Sequence, residues 1–144
     1  MQPKAAFAQI NVVVADMGAT LDFYRRLGLE IAANADAVHA LVTLPNGVLL
    51  QFDDTGFVPQ WDSGYDGSIG GSTVLGFQVA TRGHVDALYA ELTQAGYRGR
   101  QLPYDAFWGA RYAIVEDPNG NPVGLMSVID KARKFWPPVP PPPG

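Results

Sequence analysis

Apolar and polar positions alternate from Phe7 to Val14, with Ile10, Val12 and Val14 on one face and Gln9, Asn11 and Val13 on the other. This pattern predicts a strand. Asp16 is a good helix N-cap, and Met17, Leu21, Tyr24 and Leu27 then recur at helical spacing until Gly28 closes the helix. Short strands are expected at Leu29 to Ala32, Val38 to Leu44 and Val48 to Asp53. The last two are joined by Pro45-Asn46-Gly47, and Asn-Gly adopts hairpin-turn angles at low cost. The first half therefore reads βαβββ.

The same order returns. Thr73 to Ala80 forms a strand with Leu75, Phe77 and Val79 on one face. A helix from about Gly83 carries Val85, Leu88, Leu92 and Ala95 as its stripe, and Gly96 stops it. Tyr97 to Leu102 follows as a short strand. Arg111 to Glu116 and Pro122 to Val128 then form a hairpin around Pro118-Asn119-Gly120. The halves are offset by roughly 65–73 residues, and duplication on that scale outranks any single motif as a clue to fold. The expected class is α+β, with two βαβββ modules at about 5–53 and 73–129 forming a single domain around a shared concave sheet.

Two stretches break the pattern. Residues 54–72, about 19 in number, have no period and carry Phe57, Trp61 and Tyr65; connectors of that length are usually functional. The tail, 130–144, carries Phe135-Trp136 ahead of Pro137, Pro138 and Pro140 to Pro143, which points to polyproline II. It reads either as a ligand for a proline-binding module or as a semi-rigid strap whose aromatics pack on a neighbouring surface.

Composition narrows the partners. A net charge of −4 and a pI near 4.9 argue against nucleic acid, whose phosphates want a basic face. No apolar run approaches the ~18 residues of a membrane span, and the N-terminus shows no signal pattern, so the default compartment is the cytoplasm. The absence of cysteine removes disulfides, thiolate metal sites and cysteine nucleophiles together.

Alternation also sorts the strand faces. Ile10, Val12, Leu50, Phe52, Leu75, Phe77, Val123 and Leu125 should meet the helices. Gln9, Asn11, Leu49, Gln51, Val74, Gly76, Gln78, Gly124 and Met126 should line the free faces, a set without carboxylate or histidine.

The pattern Asp16, Leu21, Phe23, Tyr24, Leu27 and Gly28, with Asp117-Pro118-Asn119-Gly120-Asn121 in the second half, resembles the vicinal oxygen chelate superfamily. That superfamily contains glyoxalases, extradiol dioxygenases and bleomycin-type resistance proteins. The resemblance covers about residues 5 to 129 and implies the fold; activity does not follow from fold. It places divalent-metal ligands at Gln9, Gln51, Val74 and Gly124. Two neutral amides, a valine and a glycine make a poor set, since hard cations want carboxylates and zinc wants nitrogen or sulfur. The expectation is no metal and no other cofactor.

Phe107-Trp108-Gly109 with Arg111-Tyr112-Ala113-Ile114-Val115, and the aromatic-bearing loop, resemble the mitomycin-resistance type of drug-binding protein. The resemblance implies a homodimer, in that group often domain-swapped, that stacks a flat drug between aromatic rings without altering it. The candidate ligand contacts are Trp108, His39, Trp61, Tyr65, Gln51, Gln78, Tyr104 and Phe107. The aromatic residues and the histidine each have a structural alternative: Trp108 as a plug at the end of a sheet, Trp61 and Tyr65 docked on the body, Tyr104 and Phe107 buried under the loop, and His39 as an ordinary hydrogen-bonded residue. Arg111 and Glu116 read as salt-bridge or dimer residues. The competing function is a metal-dependent lyase, isomerase or dioxygenase with an atypical centre at Gln9 and Gln51.

Overall fold

The computed structural model describes residues 4–71, 73–139 and 141. The fold class is α+β, and the chain divides into two compact units, Met1–Gly70 and Gly71–Gly144.

The first unit contains β1 (Gln9–Val14), α1 (Met17–Arg26), β2 (His39–Thr43) and β3 (Leu49–Asp54). Strand β3 is central, parallel to β1 and antiparallel to β2. The Asp16 carboxylate caps α1 by accepting from the Ala19 amide at 3.0 Å. The helix buries Leu21, Phe23 and Tyr24, and Tyr24 meets Phe52 of β3 with ring centroids 5.0 Å apart. Fully burying a side chain of this size contributes about 1.5–3 kcal/mol, so these rings hold helix to sheet.

The strand expected at Leu29 to Ala32 does not form, which leaves this unit βαββ. Arg25 explains the departure. Its guanidinium donates to the Ile31 carbonyl at 3.2 and 2.6 Å and to the Ala33 carbonyl at 2.6 Å. A helix side chain thus satisfies carbonyls that a ladder would otherwise take up.

The second unit has the full βαβββ order: β4 (Leu75–Val79), α2 (Arg82–Gln94), β5 (Gly99–Asp105), β6 (Arg111–Glu116) and β7 (Pro122–Ser127), arranged β4-β7-β6-β5. Thr81 caps α2, which buries Val85, Leu88 and Leu92. Ala95, expected on the stripe, is exposed. In both units a first strand pairs in parallel with a last strand, β1 with β3 and β4 with β7, and this is the duplication seen in the sequence.

The tail turns back within this unit. A 3₁₀ turn at Lys131–Arg133 is followed by a bend at Trp136 and Pro137, so continuous polyproline II is not adopted there. Pro140, Pro142 and Pro143 lie outside the described residues. The Asp130 amide donates to the Gly109 carbonyl at 2.9 Å, and the Phe135 amide to the Phe107 carbonyl at 3.0 Å. A Cβ at Gly109 would collide with the Asp130 carbonyl, so glycine is what lets the tail lie against this turn.

Asp117 organises the β6–β7 hairpin. Its Oδ1 accepts from the amides of Asn119 at 2.8 Å and Asn121 at 2.9 Å, and its Oδ2 from the Asn121 side chain at 3.0 Å. Leu44 holds the corresponding place before Pro45-Asn46-Gly47, so that turn lacks this clasp. Replacing Asp117 by alanine orphans buried donors at about 1–3 kcal/mol each. Asp117→Ala is therefore expected to lower unfolding stability by at least about 2 kcal/mol in denaturant titration, with no comparable loss for Leu44→Ala.

Candidate functional site

In the second unit, register sets Gly76, Gln78, Gly124, Met126, Tyr112 and Ile114 on one sheet face, with Tyr104 opposite Tyr112. Val123, Leu125, Ala113 and Val115 take the other face and are buried. On the first face the aromatic rings meet edge to face. Trp108 lies 5.1 Å from Tyr112, Tyr112 lies 6.3 Å from Tyr104, and Phe107 lies 5.2 Å from Trp108. Trp136 of the tail extends the chain of rings, 5.7 Å from Phe107. The Trp108 indole N–H donates to the Met126 sulfur at 3.3 Å, which fixes the ring's tilt. Phe107, Trp108, Lys134, Phe135 and Trp136 line an open cleft of about 390 Å³.

Gly124 makes this arrangement possible. A Cβ there would lie 2.6 Å from the Tyr112 hydroxyl oxygen and 2.9 and 3.0 Å from its ring carbons. The phenol therefore rests directly on the β7 backbone, in the space a side chain at 124 would need. Burial raises the Tyr112 pKa above its ordinary value, with neighbouring Tyr104 adding to the shift, and burial likewise raises that of Tyr104. Both phenols stay protonated at neutral pH, so the cluster is uncharged.

Charges lie at the margin of this cluster. Arg111 bridges Asp86 at 3.0 Å and Asp105 at 3.3 Å, while Arg82 pairs with Asp105 and donates to the Gly109 carbonyl at 3.3 Å. The hydrogen bond from Arg82 holds the Asp105 carboxyl below its usual range, with Arg111 adding to the effect. Arg111 and, through Arg98 at 3.6 Å, Glu116 are thus in salt bridges within the unit.

The free face of the first unit differs from expectation. Alternation along β3 continues past Gln51 to Asp53, and β2 sets His39 opposite Asp53. The face therefore holds a carboxylate and a histidine, contrary to the neutral set read from the sequence. Asp53 is 1% exposed; its Oδ1 lies 2.6 Å from His39 Nδ1, and its Oδ2 accepts from Asn11 Nδ2 at 2.8 Å. Gln9 Nε2 donates in turn to Asn11 Oδ1 at 2.9 Å. Gln51 is buried on this face, and the Phe57 ring approaches His39 with centroids 5.9 Å apart.

Of the residues singled out in the sequence, Trp108, Tyr104 and Phe107 are brought together, and Gln78 stands exposed on the same sheet as part of the Met126 and Tyr112 row. His39 and Gln51 share the other unit's face. Trp61 follows a 3₁₀ turn at Val58–Gln60 and is 51% exposed, whereas Tyr65 donates its hydroxyl to the Ser68 carbonyl at 2.7 Å. Neither ring makes an aromatic contact among the described residues. Tyr112 and Asp53 are site residues that the alternation of the strands passed over; Asn11 was placed on the free face by it but was not among the candidate contacts.

The four positions at which the family resemblance places metal ligands do not fit a divalent ion. Gln9 and Gln51 offer only neutral amide oxygens, Val74 is apolar, and the place of a side chain at 124 is filled by the Tyr112 ring. Tyr112 is protonated at neutral pH and is not a ready substitute ligand.

The sequence model of the glyoxalase/bleomycin resistance protein/dioxygenase superfamily matches residues 6–125. The chain belongs to this superfamily. Solved structures agree on the fold. A glyoxalase-related enzyme from Fulvimarina pelagi is 23% identical, with 83% of this chain and 86% of that one covered and a TM-score of 0.71. A glyoxalase/bleomycin resistance protein/dioxygenase family enzyme from Burkholderia phytofirmans PsJN is 20% identical, with 87% and 100% covered and a TM-score of 0.71. A lactoylglutathione lyase from Agrobacterium tumefaciens is 18% identical, with 88% and 96% covered and a TM-score of 0.61. No curated protein matches the chain. At these identities the superfamily fold is shared while the site chemistry is this chain's own.

A methyl group at 124 tests the seat of Tyr112. Gly124→Ala is expected to destabilise the protein by about 1–3 kcal/mol through overpacking and to shift tryptophan emission. In a Tyr112→Ala background the same change should cost less than half as much, measured as a double-mutant cycle in denaturant.

Proposed function

We propose that this protein binds and sequesters a planar small molecule without a metal ion, with antibiotics of the mitomycin type as the leading ligand class. The observation that supports this reading is the neutral aromatic cluster built on Gly124, in which Tyr112 rests on bare backbone and Trp108 is held against it. Edge-to-face rings beside a cleft offer a flat ligand stacking contacts worth about 0.5–1.5 kcal/mol per pair beyond area burial. The Gln78 amide, exposed on the same sheet, is a neutral hydrogen-bonding group for quinone or carbonyl oxygens. Pairing of two copies belongs to this reading, supported by both sheets being open rather than closed into barrels.

A metal-dependent lyase, isomerase or dioxygenase would need ligands that the four positions do not supply. Elemental analysis of protein purified without chelator separates the two readings: a stoichiometric divalent metal would contradict the binding function as stated.

Titration with mitomycin-type quinones, anthracyclines and bleomycin, followed by tryptophan emission, is the direct test. Saturable quenching is expected for at least one planar compound. Trp108→Ala should weaken that binding about tenfold, corresponding to ~1.4 kcal/mol of lost stacking. Flat titrations across the panel would remove the support for this function.

A further inference from the structure

In the first unit the hydrogen bonds of the Gln9, Asn11, Asp53 and His39 side chains run in a fixed order. Gln9 donates to the Asn11 oxygen at 2.9 Å, so the Asn11 amide nitrogen must face Asp53, to which it donates at 2.8 Å. The other Asp53 oxygen is left for His39 at 2.6 Å. An ionised carboxylate only accepts, so the neutral imidazole carries its proton on Nδ1 and presents Nε2 as a bare acceptor. Nε2 makes no hydrogen bond among the described residues, and the His39 side chain is 34% exposed. Asp53 is the one charged group in ion-pair reach of the ring among those residues; β1 contributes the neutral Asn11, and the loop after β3 contributes Phe57.

We propose that His39 Nε2 takes a proton from the hydroxyl group of a bound phenol or enol, with Asp53 and Asn11 as positioning residues. The O–H bond of the ligand breaks and its electron pair stays on oxygen. The proton moves to Nε2, and the resulting imidazolium is stabilised on one side by the Asp53 carboxylate and on the other by the ligand anion. No oxidant or cofactor enters the step. The Phe57 ring and the exposed Leu41, which shares this face, provide apolar flanks for a small hydroxyaromatic. The inference stands apart from the aromatic cluster, since every residue in it belongs to the other unit.

The test has one arm without ligand and one with 4-nitrophenol, whose phenolate absorbs visible light. Nitrogen-15 spectra of the neutral ring should show His39 protonated on Nδ1. In Asp53→Asn the Asn11 donor forces the new carboxamide oxygen towards itself, so the NH₂ faces His39. The ring should then switch to the Nε2-protonated form. With 4-nitrophenol below its own pKa, the phenolate band should appear on binding to the unaltered protein and be lost in both Asp53→Asn and His39→Gln. An Nε2-protonated ring in the unaltered protein, or a tautomer unchanged in Asp53→Asn, would overturn the proposal. So would 4-nitrophenol that fails to bind, or that binds without the phenolate band. The measurements on the unaltered protein hold whether or not a variant folds, and flat results there would leave the quinone titrations untouched.

Discussion

Burial of one sheet face beneath a helix is the constraint on which the rest of each unit depends. Tyr24 against Phe52 in the first unit, and Val85, Leu88 and Leu92 of α2 in the second, take up the apolar faces of their sheets. Because strand side chains alternate, committing Leu50 and Phe52, or Val123 and Leu125, to the core commits their neighbours to the opposite face. A one-residue slip would exchange the two sets. The free faces are therefore as firmly specified as the cores.

What those faces carry differs between the repeats. In the second unit a glycine at 124 admits a tyrosine ring from β6 onto the β7 backbone, and the ring contacts extend from there through Trp108 to Phe107 and Trp136. The result is neutral and apolar, with its phenols kept protonated by burial. In the first unit the sheet face buries a carboxylate and satisfies it with an amide and an imidazole. A buried charge is tolerable only with such partners. Duplication supplied two similar frames, and substitution on the free faces gave them unlike chemistry.

Much of this was legible in the residues. The Asp16 cap, both Asn-Gly turns, the two helices and the repeat follow from local chemistry that needs few distant contacts. Leu29 to Ala32 failed as a strand because Arg25, a residue on the preceding helix, satisfies carbonyls of that segment. No strand pattern reveals such a bond. Asp53 was hidden differently: alternation places it beside Gln51, but reading β3 only to its polar amide leaves out the carboxylate, and only strand pairing sets His39 against it. Tyr112 sits in plain view within the Arg111 to Glu116 strand. That its ring lies over residue 124 depends on the β6–β7 register, where Ile114 and not Tyr112 is the direct partner of Gly124.

The central claim is that the second unit's free face holds a planar ligand by aromatic contact, without a metal. The indole N–H of Trp108, anchored on Met126, reports on that face directly. The measurement is the proton–nitrogen correlation spectrum of this group during addition of a planar quinone, with and without chelator. A saturable shift of the Trp108 signal, the same in both conditions, is the expected result. A signal that does not move, or that moves only when a divalent metal is supplied, would contradict the claim.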